Sequence, residues 1–261
     1  MGGVEGALLG LIQGLTEFLP VSSSGHLVLA QSLIPSFHQP GVLFDTLLHL
    51  ATLFAVLVFF RRDVWKLLSS LAPGGDVGAR RVVAMLALAT IPTGLIGVGF
   101  KDALEALFHE PRAAAAMLLV TGAVLWVSEL RRHQPLGLAE IGVARSLAVG
   151  LAQGLAIIPG ISRSGATIAT ATLLGVRGED AARFSFLLSI PAICGAVVLQ
   201  AGEISGVPDG AAVPYLLGAL AAFSSGLLAI RLLMQVIRAR RFRWFAVYCW
   251  VLGSAYLLFA S

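Results

Sequence analysis

The chain has 261 residues, 57% of them hydrophobic and only 12% charged, against roughly 25% charged in a soluble domain. Its mean hydropathy of +0.90 and its long apolar runs, which do not alternate, exclude a soluble domain and a membrane β-barrel and point to a helical membrane protein. The net charge of +4 does not call for nucleic acid, because basic residues flank the spans of a membrane protein on the cytoplasmic side.

Residues 2–34 read as two helices joined by a break. Gln13 and Glu17 are spaced i, i+4 and share a helix face. Pro20 stops that helix. Ser22, Ser23, Ser24 and Gly25 are cap and turn residues, and His26 begins a second apolar run. Backbone N–H groups left free at the start of the second helix make a natural anion site. A turn follows at 35–41. Residues 42–60 are long enough to span, about 20 being needed, and Arg61, Arg62 and Lys66 close that span. A loop rich in Gly and Ser over 69–79 leads through Arg80 and Arg81 to a span over about 82–100. Residues 101–112 form a short amphipathic connection carrying both charge signs. A third span over about 113–130 ends at Arg131, Arg132 and His133. A second broken pair of helices covers about 142–176. Spans then run over about 184–200, 211–231 and 244–260, the last preceded by Arg238, Arg240, Arg241 and Arg243. Cys194 and Cys249 lie in apolar runs and read as buried thiols, not a disulfide framework. The first residues lack a basic start and a small-residue cleavage site, so no removable signal peptide is expected.

The two broken pairs repeat each other. Gln153-Gly154-Leu155 matches Gln13-Gly14-Leu15, and the stretch from Pro159 to Gly165 takes the place of Leu19 to Gly25. Without a gap, Phe44, Leu47 and Leu48 then fall on Phe184, Leu187 and Leu188. The chemistry differs between copies. Glu17 falls on Ile157, His26 on Ala166 and Ser23 on Arg163.

If each broken pair enters and leaves on one side, the chain crosses six times, three times per repeat. An odd number turns the second copy upside down. Of the 18 Lys and Arg residues, 15 then fall on one side, Lys101 and Arg112 on the other, and Arg163 at hairpin depth. That asymmetry puts both termini outside the cytoplasm. The expected fold is an all-α integral membrane protein. It forms one membrane domain over 1–261, built as an inverted repeat of about 1–134 and 141–261. Each half is a re-entrant broken-helix hairpin plus three transmembrane helices. Secondary transporters share this plan, with sites where half-helix ends converge near the midplane. Irregular backbone at that depth must be buried in protein or line a wet cavity.

Arg163 carries the strongest single signal. An arginine at bilayer depth costs about 2.5–3.5 kcal/mol on the insertion scale. It reads as a clamp on phosphate, which a guanidinium grips with two parallel hydrogen bonds, or as a salt bridge to Glu17 locking the hairpins together. Glu17 with Gln13 one turn away can hold a hard cation through oxygen, can act as a general base, or can be a protonated, hydrogen-bonded carboxyl. His26 reads as catalytic beside the serines and the break. Ser22, Ser23 and Ser24 read as caps, with one of them chemical. Ser162, Ser164 and Thr167 read as phosphate donors or equally as caps. Asp45 and His49, another i, i+4 pair, read as groups that orient His26, bind metal or pack at a span end.

The two polar stretches together resemble a known family. Gln13-x-x-x-Glu17 followed by Pro20-x-Ser22-Ser23-Ser24-Gly25-His26 is similar to the (E/Q)xxxE region of the undecaprenyl-diphosphate phosphatases, also called bacitracin-resistance proteins. Pro159-Gly160-x-Ser162-Arg163-Ser164-x-x-Thr167 matches that family's PGxSRSxxT motif. The resemblance covers essentially the whole chain. It implies a multi-pass enzyme of the bacterial inner membrane, and the layout above, in which the first hairpin opens outward, favours a site on the extracytoplasmic side. Such an enzyme removes the terminal phosphate of undecaprenyl diphosphate to give the monophosphate carrier of peptidoglycan synthesis. It implies a divalent cation, Mg²⁺ or Ca²⁺, held by Gln13 and Glu17, where many members carry Glu at the position of Gln13. Glu17, Ser23, His26 and Arg163 are the implied catalytic residues, with Ser23 as nucleophile and His26 as base, or with metal-bound water attacking directly. Ser22, Ser24, Gly25, Gly160, Ser162, Ser164 and Thr167 are the implied substrate contacts. The expected partners are a polyprenyl diphosphate lipid, membrane lipid and a second copy of the chain, with no nucleic acid.

The main rival reading is a transporter or flippase for a prenyl-phosphate lipid, which the inverted repeat favours and the gathering of Glu17, Ser23 and His26 in one hairpin does not. Ser24-Gly25-His26 and Ser162-Arg163 imitate a membrane phosphatase class built on PSGH and SR-x5-H segments. The position of its second histidine holds Ala169. An intramembrane serine protease would need Gly at Ser22 or Ser162.

Overall fold

The computed structural model of the protein describes residues 2–33, 42–130, 135–200, 210–239 and 241–259. The turn expected at 35–41, the basic residues at 131–133 and Arg240 lie outside them. Both expected hairpins are present: α1 (Gly3–Phe18) with α2 (Ser23–Leu33), and α8 (Val143–Leu155) with α9 (Arg163–Leu173). The 11-residue α2 and α9 and the 13-residue α8 reach only about 16–20 Å at 1.5 Å per residue, short of the roughly 30 Å of a hydrocarbon core.

Between the hairpins run α3 (Val42–Phe59), α4 (Arg61–Ser69), α5 (Val77–Gly99), α6 (Lys101–Leu107) and α7 (Pro111–Ser128). After the second hairpin come α10 (Gly178–Gln200), α11 (Ala212–Arg238) and α12 (Arg243–Phe259). Among the described residues α5, α7, α10 and α11 are long and apolar enough to cross a membrane, and α3 with α4 makes a fifth, bent pair. The 17-residue α12 falls just short. Large side chains such as Phe54, Leu95, Val213, Leu216 and Val251 stand exposed along these helices, as lipid contact requires. The chain is a multi-pass membrane protein.

Arg61, Arg62 and Lys66 do not simply end a span. They sit on α4, which turns 78° away from α3. The Arg80 guanidinium donates to the Ser70 and Ala72 carbonyls at 3.0 and 3.1 Å and so caps that helix. Asp76 caps α5 by accepting from the Ala79 amide at 2.6 Å, which starts the helix ahead of its expected bound.

Small residues bring the hairpins against the long helices. Gly6, Gly10 and Gly14 repeat every four residues on α1, and a methyl group on any of them would overlap α11 at Pro214, Gly218 or Ala222. In the other half, Gly150 and Gly154 of α8 face Ala89 and Ile96 of α5 in the same way. Around these seams α7 packs on α12 and α3 on α10. Phe18, Phe184 and Phe186 are fully buried between them, with the Phe18 and Phe186 rings edge to face at 5.7 Å. The packing brings the two hairpin tips together. A methyl group on Gly25 would lie 2.9 Å from Gly160 Cα.

Candidate active site

The first tip is held in a strained turn. Ser22 has φ +67°, a left-handed conformation that costs a side-chain-bearing residue on the order of 1–3 kcal/mol. Three bonds hold it. Ser22 Oγ accepts from the Gly25 amide at 3.2 Å, and the Ser22 carbonyl accepts from the His26 amide at 3.2 Å and from His26 Nδ1 at 2.7 Å. The second tip avoids the strain. Its left-handed residue is Gly160, φ +93°, while Ser162 is extended and caps α9 by accepting from the Gly165 amide at 3.0 Å. Thr121 of α7 grips this tip, donating to the Gly160 carbonyl at 2.8 Å and accepting from the Ser162 amide at 3.0 Å.

Glu17 is where the two copies meet. Its side chain is 4% exposed, and both carboxylate oxygens are engaged. Oε1 accepts from Arg163 Nη2 of the other hairpin in an ion pair. Oε2 accepts from Ser23 Oγ at 2.6 Å and from Gln13 Nε2 at 3.0 Å. Residues 146 positions apart in sequence thus form one polar cluster in an apolar chain. The salt bridge anticipated between Glu17 and Arg163 is present, and it leaves 20% of the Arg163 side chain exposed.

His26 is placed differently from the expectation. Its ring does not bond Ser23. A carbonyl only accepts, so Nδ1 carries a hydrogen toward Ser22, and Nε2 meets Tyr248 Oη of α12 at 2.7 Å. The two rings are parallel within 1°, centroids 5.6 Å apart. Helix side chains lean toward the N-terminus. Ser23, in the first turn of α2, therefore leans over the tip to Glu17, while His26 leans back over Ser22. The acceptor in contact with Ser23 Oγ is a Glu17 carboxylate oxygen, not the His26 ring. The His49 ring bonds within its own helix and not to His26, Nδ1 donating to the Asp45 carbonyl at 2.8 Å.

Several residues expected to bind substrate also hold the tips. Ser22 and Ser162 are caps, 3% and 1% exposed. Ser164 Oγ donates across the hairpins to the Leu19 carbonyl at 3.2 Å and lies 3.2 Å from Ser162 Oγ. Ser24 pairs with Ser22 at 3.3 Å. Gly25 and Gly160 allow the tips to touch. Thr167 is wholly buried, its hydroxyl shared between the Arg163 carbonyl at 2.7 Å and Ser185 Oγ of α10 at 2.6 Å. It supports Arg163 from behind and offers no free donor. Tyr248 and Thr121 were not singled out in the sequence. Their one signal is a hydroxyl in an apolar helix, which in a buried setting needs a partner.

Gln13 and Glu17 are the expected cation ligands. Gln13 is fully buried and its Oε1 has no hydrogen-bond partner, as an oxygen reserved for a ligand would be. Gln153 has the same orphaned Oε1 with Ile157 where a carboxylate would stand, so the orphan alone does not specify a metal. Among the described residues no three His, Cys, Asp or Glu side chains converge as a cation cage. One carboxylate and one amide oxygen fit a hard cation that arrives with a diphosphate, since Mg²⁺ is commonly held by one or two carboxylates plus substrate phosphates.

The model of the family described as "Bacitracin resistance protein BacA" matches residues 6–255. An undecaprenyl-diphosphatase of Syntrophotalea carbinolica is 47% identical over 263 residues, covering 100% of both chains. Those of Desulfatibacillum aliphaticivorans and Carboxydothermus hydrogenoformans are 43% and 40% identical, covering 98% of both chains in the first case and 99% of this chain and 97% of the other in the second. With a family match across nearly its whole length, this chain belongs to the bacitracin resistance protein BacA family.

Proposed function

We infer that this chain is an undecaprenyl-diphosphate phosphatase. It hydrolyses the terminal phosphate of the lipid diphosphate to leave the monophosphate carrier used in cell-wall synthesis. The observation that carries the reading is the Glu17–Ser23–Arg163 cluster drawn from both hairpins, within a chain whose relatives bear that name. A flippase needs no hydroxyl bonded to a carboxylate beside a guanidinium. The test is release of inorganic phosphate from a polyprenyl diphosphate by the purified protein in detergent. Translocation without phosphate release would favour the carrier instead.

In the mechanism this geometry supports, Arg163 turns from Glu17 to the terminal phosphoryl group and neutralises its oxygens. Glu17 takes the Ser23 proton as Oγ attacks phosphorus. The bridging P–O bond breaks, and the monophosphate lipid leaves with its electron pair. Glu17 passes the Ser23 proton to the departing lipid phosphate; water then attacks the phosphoserine, giving a proton to Glu17, which returns it to Ser23 Oγ as the P–O bond breaks and inorganic phosphate departs. His26 stands three residues from Ser23 on α2, on the same face, where its Nε2, the accepting nitrogen of the neutral ring, can accept from the incoming water. A divalent cation held by Glu17 and Gln13 would neutralise further phosphate charge. EDTA should therefore abolish phosphate release and Mg²⁺ or Ca²⁺ restore it, with Glu17→Gln weakening both the rate and the cation dependence. Full turnover in EDTA would remove the cation from the reaction.

The reciprocal packing of α1 on α11 and α8 on α5 supports an inverted repeat of six crossings. So does the matched burial of Phe44 with Phe184 and Leu48 with Leu188. In that layout the protein is one inner-membrane domain with both termini and the hairpin-one opening on the extracytoplasmic side. A reporter fused after Ser261 should signal outside, and one inserted in 70–76 should signal cytoplasm. The same compartment for both would overturn the layout.

A further inference from the structure

We propose that Tyr248 is a positioning residue for His26, holding the direction of its ring at the mouth of the site. This rests on the diphosphatase reading given above. Tyr248 sits on α12, 222 positions from His26, and no neighbouring motif marks it. Its Oη lies 2.7 Å from Nε2 with the two rings parallel. The Ser22 carbonyl already fixes the hydrogen on Nδ1, so in the neutral ring Nε2 is the acceptor and Tyr248 Oη the donor. An imidazole held at both nitrogens has no freedom to rotate, and its one reactive lone pair faces a hydroxyl that water can replace.

The setting separates this contact from ordinary helix packing. Eight residues further along the same face of α12, Tyr256 Oη lies 2.7 Å from Ser32 Oγ of α2. Both tyrosines tie α2 to α12, but Ser32 is six residues beyond His26, away from the tip and its cluster. If hydroxyls on α12 only fasten the hairpin, the two should matter equally. If Tyr248 positions His26, it alone should affect catalysis.

The experiment compares Tyr248→Phe with Tyr256→Phe in the full chain in detergent, with both rings retained. Tyr248→Phe should lower kcat by about 10- to 100-fold, the usual cost of losing a group that orients a functional histidine. KM and thermal stability should stay near wild type, and Tyr256→Phe should keep full turnover. The ¹⁵N resonance of His26 Nε2, assigned by its loss in His26→Gln, should shift in Tyr248→Phe and not in Tyr256→Phe. Equal losses of stability and activity in both variants would mean that the hydroxyls only fasten α2. Normal kcat and an unshifted His26 resonance in Tyr248→Phe would overturn the proposal while leaving the wild-type phosphatase activity intact. A wild-type protein that releases no phosphate would overturn the underlying function instead, and the resonance comparison would still report on the contact.

Discussion

Ser23→Ala should lower kcat by on the order of 10³-fold or more, because losing a nucleophile is rarely mild. The substitution is well suited to the structure. Ser23 is only partly buried, and its hydroxyl caps nothing; its one bond is the 2.6 Å donation to Glu17. Glu17 keeps Gln13 and Arg163 when that bond is lost, so the protein should fold and its thermal stability should change little. A loss of turnover in Ser23→Ala is then chemical. Rapid acid quench of the wild type during turnover should trap phosphoserine at position 23. Near-normal kcat in Ser23→Ala would leave water as the direct attacker, with Ser23 reduced to a hydrogen-bond donor for Glu17.

The identity of the base follows from the same geometry. Ser23 and His26 at i, i+3 suggest a hydroxyl–imidazole pair, because such residues share a helix face. At the first turn of a helix the face matters less than the lean of the side chains toward the N-terminus. That lean sends Ser23 to the other arm of its own hairpin and His26 onto the carbonyl four residues back. The local sequence shows the spacing but not the direction. Glu17 is the group with an acceptor oxygen in contact with Ser23 Oγ.

Much of the molecule was legible because its signals are local. Pro20 and the Pro159-Gly160 pair break helices wherever they occur, so both hairpins fell where expected. Arg163 is costly at bilayer depth unless paired, and Glu17 was the carboxylate that the repeat brought opposite it. Long-range side-chain contacts were not legible. Tyr248 is one aromatic residue in an apolar helix, and its bond to His26 depends on how α12 lies along α2 across most of the chain. Thr167 looks like a phosphate donor in its motif, yet its hydroxyl is engaged by Ser185 on α10. The left-handed Ser22 has no signal either. The aligned Ser162 has ordinary geometry, and only the bonds around Ser22 hold the difference.

Arg163→Lys should be nearly as damaging as Arg163→Ala, with kcat reduced on the order of 10³-fold in both, the range lost with a charge-stabilising arginine in phosphoryl transfer. Lysine keeps the charge but not the planar fork, and a transferring phosphoryl group with charge on several oxygens is matched by two parallel N–H donors. Arg163 is positioned for that exchange. It is tied to Glu17 by one ion pair yet remains 20% exposed, whereas Glu17 is 4% exposed. Its backbone is fixed from behind through Thr167 and Ser185. If the clamp acts on the transition state, kcat should fall more than KM rises. The salt bridge has its own consequence. Removing one partner of a fully buried pair costs about 3–5 kcal/mol, and less where one partner keeps some solvent, so Arg163→Ala should also lose stability. Stability of Arg163→Ala alone therefore does not separate a clamp from a structural lock. One other variant does. Arg163→Lys should recover folded yield and melting temperature without recovering turnover. A stable Arg163→Lys protein with wild-type kcat would show that the cation is needed only to neutralise Glu17, and the clamp would be wrong.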